Sequence, residues 1–429
     1  MTELFASNLN IIVKRWPIVA AAIKNQTINE LDAHLINGRN QTISVNGIQL
    51  SSRHDRIAEA RLFISTLPAD ATHVTVYGVG MGDVPSLLID NPQYLSIDVC
   101  ILNLSVFALL ISYTDQSEWL SHPNVNLKER AESRLVLPYV GITPDLVLTS
   151  NENAITRDLL VYELNRNFAN QKHHIDEVSL ARLNANIPNL LNDPDASLLL
   201  NTHHNANCVV IASGPTLEDH YPYLFELTQK SKFSKPLIIA VDTAFKALFQ
   251  HNIIPDIILS IDPNIRPDHF PMEHTKNVIL VYFPKINPQI IEQWKGAKYS
   301  AYSTSHLYDE LANKYPKLRL FTNGSVVHPA IDLAVYLGAY QVSLFGCDFC
   351  YTNNKTHAFW PDGHLGPKIK NAKHWLINGH GERVPTDLNF RGYLRSLEKY
   401  IKLKKNIKFY QSSLNGARIH GAQYKDFSQ

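Results

Sequence analysis

The sequence predicts an α/β protein in which a Rossmann-like, doubly wound C-terminal domain follows a smaller α/β N-terminal domain. Three observations predict it. Residues 208–270 run through CVVIASGPTLED, IIAVDTAF and IPDIILSIDPNIRPDHF, an apolar run, a tight turn and a helix in repeated order. Short apolar runs without alternation suit strands buried on both faces of a parallel sheet. Residues 72–88, THVTVYGVGMGDVPSLL, read as strand, G-x-G-x-G turn and helix, the opening of a nucleotide-binding α/β unit. A composition of 45% hydrophobic and 18% charged residues over 429 positions can bury a core of two or three domains.

In chain order, residues 1–65 read as helical, with apolar spacing of 3 and 4 at 5–23 and again at 55–66. Residues 74–77 then form a strand, Gly78, Gly80 and Gly82 the turn, and 84–88 a helix. A strand at 94–97 ends at Asp98, the acidic residue expected after the second strand of such a unit. LVLPYV and PDLVL within 135–148 read as two further strands around a Gly-Ile-Thr-Pro turn. The expected organisation is an N-terminal domain at 1–150, a helical connector at 151–200 and a C-terminal domain at 201–429, opened by the polar loop NTHHNAN.

Further strands are expected at 277–282, 298–302, 318–321, 342–345 and 408–410. Helices are expected at 326–337, ended by Gly338, and at 390–402. Residues 351–387 read as a lid, rich in Gly, Asn, Pro and His, whose Phe359, Trp360 and Trp375 would let it pack.

The strand ends carry the chemistry. Ser213-Gly214-Pro215-Thr216, Asp242, Asp262 and Asp348 each follow an apolar run. Ligands of open parallel sheets bind outside the carboxyl ends of the strands. Gly214 allows a close backbone approach, and Thr216 with Asp219 three residues on resembles a helix cap whose free N–H groups would suit an anion. Four lid histidines, His357, His364, His374 and His380, lack metal-ligand spacing but could supply one general base. Cys347 and Cys350 form a C-x-x-C without a second pair, and four cysteines without regular spacing give no disulfide framework. A net charge of +1 excludes an electrostatic case for nucleic acid. The most apolar stretch, 99–112, is too short to span a bilayer, and the first residues lack a signal pattern. No G-x-S-x-G and no P-loop are present, so positioning and acid–base chemistry are favoured over a covalent nucleophile.

Together, VVIASGPTLEDHYPYL, AVDTAFKALFQHNIIPDIILSIDP and FTNGSVVHPAIDLAVYLGAYQVSLFGCDFCYTNNKTHA resemble the motility accessory factor (Maf) glycosyltransferases of bacteria with glycosylated flagella. VYGVGMGD and SSLNGARIHGAQY carry the resemblance to both ends of the chain. It is similar, more distantly, to family 42 bacterial sialyltransferases and to an archaeal pterin diphosphokinase. The resemblance implies a cytoplasmic enzyme that moves a nonulosonic acid (pseudaminic, legionaminic or sialic-acid-like) from a CMP donor to Ser or Thr of flagellin. It implies no required cofactor, with Mg²⁺ as an option.

On the sialyltransferase pattern, Gly214, Pro215 and Thr216 match the turn that cradles phosphate. Ser213, Asp242 and Asp262 stand where those enzymes carry Asn, the last two beside cytidine and ribose. Asn323, Gly324 and Ser325 match a donor-contacting turn, and Asp348 closes the crevice. His380 matches the catalytic histidine approximately, ahead of Thr386-Asp387, with His357 as the second choice. The rival expectations are a pterin-type diphosphokinase using ATP and Mg²⁺ at Asp242, Asp262 and Asp348, and a non-catalytic flagellin-binding protein.

Overall fold

In the computed structural model, which describes residues 2–129, 134–171, 177–231, 234–365, 368–371 and 374–427, the chain divides into two units, 1–171 and 172–429. The division falls inside the stretch expected to be a connector. Among the described residues no helix is long and apolar enough to cross a membrane.

The first unit opens with helices Glu3–Arg15 and Pro17–Lys24. Thr2 caps the first by accepting from Phe5 N–H, and Phe5, Leu9 and Ile12 bury one face. The all-helical expectation for 1–65 fails next. Strands β1 (Ala33–Ile36), β2 (Thr42–Val45) and β3 (Ile48–Gln49) form a small antiparallel sheet. Asn46 and Gly47, both at positive φ (50° and 78°), join β2 to β3, as a tight hairpin turn requires.

Strands β4 (His73–Tyr77), β5 (Ser96–Cys100), β6 (Val125–Lys128) and β7 (Tyr139–Gly141) form a parallel sheet of order β6-β5-β4-β7. Asp98 lies inside β5 rather than at its end. Its carboxylate is taken by Lys128 at 2.9 Å and Asn126 at 3.1 Å, so the expected acidic residue at the strand end is not there. PDLVL is a helix, Thr143–Val147, not a strand. Pro144 sits in its first turn, where a missing N–H costs nothing.

The second unit is built on strands β8 (Asn207–Ile211), β9 (Leu237–Val241), β10 (Ile257–Ser260), β11 (Ile279–Tyr282) and β12 (Lys298–Ser300). A two-stranded pair, β13 (Tyr302–Ser303) and β14 (Arg319–Leu320), follows. Then come β15 (Gln341–Phe345), the antiparallel hairpin β16 (His374–Ile377) and β17 (Arg383–Thr386), β18 (Lys408–Gln411) and β19 (Ala422–Tyr424).

Eight of these make one sheet, β12-β11-β10-β9-β8-β15-β18-β19, parallel throughout. Every residue of β9 and β10 is buried, which explains their unbroken apolar runs. Each fully buried Ile or Leu contributes about 1.5–3 kcal/mol. The chain winds outward from β8 through β9 to β12, then restarts on the other side of β8 with β15. The strand order therefore reverses between β8 and β15. Helix Val327–Tyr336 ends as expected, with Gly338 at φ +97°.

Candidate active site at the strand ends of the second unit

The turn after β8 is held by the strand across the reversal. Gly214 N–H donates to Gly346 C=O at 2.8 Å. Asp348, three residues past β15, accepts from Thr216 N–H at 2.8 Å and from Thr216 Oγ1 at 2.5 Å. Gly214 is required by this approach, since a Cβ there would lie 2.4 Å from Gly346 O.

Two expectations are corrected here. Thr216 does not cap a helix. It lies within a 3-10 turn, Pro215–His220, its side chain turned to Asp348. The turn's backbone donors at 214 and 216 are bonded within the chain, and Pro215 has none, so they do not stand open to an anion. Asp348, 4% exposed, fills that role itself, and burial pushes its carboxyl up to about 6 against the pull of the Thr216 hydrogen bonds.

The next polar groups lie one strand further along. Ser213 Oγ and Thr243 Oγ1 meet at 2.8 Å, joining the ends of β8 and β9. Asp242, buried at the end of β9, accepts from Thr243 N–H at 2.8 Å and from Ser260 Oγ at 2.7 Å. Burial, with a smaller push from the charge of Asp262, raises its carboxyl to about 7. Asp262, past the end of β10, is exposed and accepts from Asn264 N–H. Neighbouring strands run about 4.8 Å apart, so Ser213, Asp242, Thr243 and Asp262 form one polar edge.

Asn323, Gly324 and Ser325 form the turn ahead of helix Val327–Tyr336. Buried His328 clamps it. Its Nδ1 accepts from Asn323 N–H at 3.1 Å, which leaves the proton on Nε2 to donate to Tyr393 C=O at 3.0 Å. Burial pushes this imidazole down to about 4, so it stays neutral. Asn323 Nδ2 donates to Ser396 Oγ, and Gly324, at φ +87°, leaves room that a Cβ would lose to the Tyr393 ring.

The lid is more ordered than a loop. Ala358 N–H donates to Ser213 C=O and Trp360 Nε1 to Thr243 C=O, both at 2.8 Å, fastening it to the ends of β8 and β9. Glu218 receives Lys355 Nζ at 2.6 Å and Phe359 N–H at 2.9 Å. Residues 374–386 are the β16–β17 hairpin, tied to the turn after β15 by Tyr351 N–H to Pro385 C=O.

The four lid histidines separate. His364 stacks on Trp360, His374 lies on β16, and His380 sits exposed in the hairpin turn with Nε2 3.3 Å from Asn415 Oδ1. His357 is held edge-on to Phe390, and its Nδ1 finds no hydrogen-bond partner among the described residues. Burial pushes its imidazole down to about 4, against the pull of Asp387. Asp387 caps helix Leu388–Leu403 through Phe390 N–H and accepts Tyr351 OH at 2.7 Å.

Cys347 and Cys350 are buried, and burial pushes both thiols up, so neither stands ready as a thiolate. Among the described residues no group of three or more His, Cys, Asp or Glu could hold a metal ion. Asp242 and Asp348 each accept from the chain's own donors at both oxygens. Thr243 was read only as a polar strand-end residue, and Ser260, Glu218, His328 and Tyr393 were passed over. Thr243 and Ser260 each stand within two residues of a chosen Asp, which was the available signal. His328 and Tyr393 gave none, because their partners are far along the chain.

Residues 181–354 match the model of the family described as 6-hydroxymethylpterin diphosphokinase MptE-like. The chain is similar to a solved Maf glycosyltransferase from Magnetospirillum magneticum AMB-1, with 14% identity and a TM-score of 0.47 over 100% of this chain and 75% of that one. No curated protein matches.

Proposed function

We propose that the second unit is a transferase for a nucleotide-activated sugar, and that it moves a nonulosonic acid from a CMP donor to Ser or Thr of flagellin in the cytoplasm. One observation carries this reading. A parallel sheet lines up Ser213, Asp242, Thr243 and Asp262 at its carboxyl edge, beneath a fastened lid that holds a neutral imidazole at His357. Such an edge is where α/β folds take nucleotides. The motif resemblance to Maf enzymes supplies the donor and the acceptor.

Ser213 and Thr243 are hydroxyl partners for the nucleotide, and Asp262 is the exposed carboxylate for a ribose. Asn323 and Ser325, on the turn clamped by His328, are kept as donor contacts on the motif resemblance alone. His357, whose ring packs edge-on against Phe390 and whose Nδ1 has no partner among the described residues, is the first choice of base, whereas His380 lies exposed at a hairpin tip. A proton acceptor placed so contributes about 10²–10⁴-fold to attack by a hydroxyl.

The matched family description favours a second reading, pyrophosphate transfer from ATP to a pterin alcohol. Ligand-induced stabilisation separates them. CMP or CTP raises the melting temperature under the first reading, and ATP with Mg²⁺ does so under the second. Intact flagellin mass with and without the gene then tests the acceptor, and an unchanged mass in a glycosylating strain refutes the flagellin assignment.

A further inference from the structure

The lid carries one strongly strained residue beside this edge. Phe359 has φ +69°, a conformation that bulky side chains rarely adopt. It is the centre of a three-residue turn closed by Trp360 N–H to Ala358 C=O at 2.8 Å. Nothing in the turn itself needs a phenylalanine, and glycine would remove the strain. The surroundings enforce the conformation. Ala358 is bonded to Ser213 at the end of β8, Trp360 to Thr243 at the end of β9, and Phe359 N–H to Glu218. The ring gains little burial in return. It is 38% exposed, with Trp360 edge-on at 5.2 Å. Strain held by three anchors, displaying a half-open aromatic face next to polar strand ends, marks a binding feature rather than a packing one.

We propose that Phe359 is a stacking platform for the planar heteroaromatic ring of the substrate bound at the ends of β8 and β9. This rests on the reading of those strand ends as a nucleotide site. The shared chemistry is a flat π-system, supplied by the cytosine of CMP, the adenine of ATP or a pterin. Trp360 sets the ring's angle from one side, and Glu218, paired with Lys355, fixes the backbone from the other.

Calorimetric titration of the full chain with CMP, with ATP plus Mg²⁺ and with 6-hydroxymethylpterin identifies which ring is taken. Stacking on an aromatic side chain is worth about 1–3 kcal/mol per base, so Phe359→Ala weakens the probe that binds by roughly 5- to 150-fold. Phe359→Tyr keeps the affinity. Phe359→Gly binds as weakly as Phe359→Ala yet melts higher than it, by about 2–4 °C, because glycine relieves the positive φ. A purely structural role moves melting temperature and affinity together and does not give that crossing. Unchanged affinity in Phe359→Ala for a probe that the parent protein binds overturns the platform and leaves the nucleotide reading standing. Absence of binding of all three probes to the parent protein overturns both.

Discussion

Replacing Asp242 by Asn should stabilise the protein by an amount that grows from pH 5 to pH 7 and levels off by pH 8. Asp242 is 1% exposed, and burial raises its carboxyl to about 7 from the ordinary 3.8. Between those values the folded chain holds a proton that the unfolded chain has released. Stability from this group is therefore present at low pH and is lost as pH rises through that window. At about 1.4 kcal/mol per unit, a window of about 3 units amounts to roughly 4 kcal/mol. Asn keeps both local bonds, its Oδ1 accepting from Thr243 N–H and its Nδ2 donating to Ser260 Oγ. Buried His328 and His357, each pushed down to about 4, act oppositely and remove stability as pH falls below 6.5. They are present in both proteins and cancel in the comparison. Urea unfolding of parent and variant at pH 5, 6, 7 and 8 is the assay. Two curves running parallel across that range would refute the reasoning, because they would mean that Asp242 folds with an ordinary carboxyl.

Gly214→Ala should destabilise the protein through steric overlap alone by about 1–3 kcal/mol, read as a lower urea midpoint, since the backbone φ of −64° suits alanine but its Cβ would meet Gly346 O and Asp348. In a flagellin glycosylation assay, His357→Ala should slow transfer by about 10²–10⁴-fold with CMP affinity kept, and His380→Ala should leave the rate near that of the parent. Equal rates for both variants would remove His357 from the chemistry.

The parallel sheet of the second unit was legible because burial on both faces leaves uninterrupted apolar runs, and β8, β9 and β10 each show one. Polar residues directly after those runs were legible for the same reason. What each does was not, because it depends on a partner far away in sequence. Thr216 looks like a cap until Asp348 arrives from 132 positions further on. Short elements went astray where local period is ambiguous. PDLVL has too few residues to tell a strand from a helix, and Pro144 in a first turn was the tie-breaker. Both missed hairpins contain an Asn-Gly pair, at 46–47 and 378–379, a signal that was present and outweighed by the helical spacing or the polar character around it.

The first unit repeats the device of the second. Asp145, just past β7, turns back to the glycine turn after β4 as Asp348 turns back to the turn after β8. Burial raises the Asp145 carboxyl to about 6, so at neutral pH it is mostly charged. Each sheet thus ties its first turn to the strand beside it through a buried carboxylate. Pulling the two apart would strand a buried acid and the backbone donors it satisfies, so the reversal point opens only at the cost of several hydrogen bonds at once. The seam where such a sheet would split most easily is the one this chain has riveted.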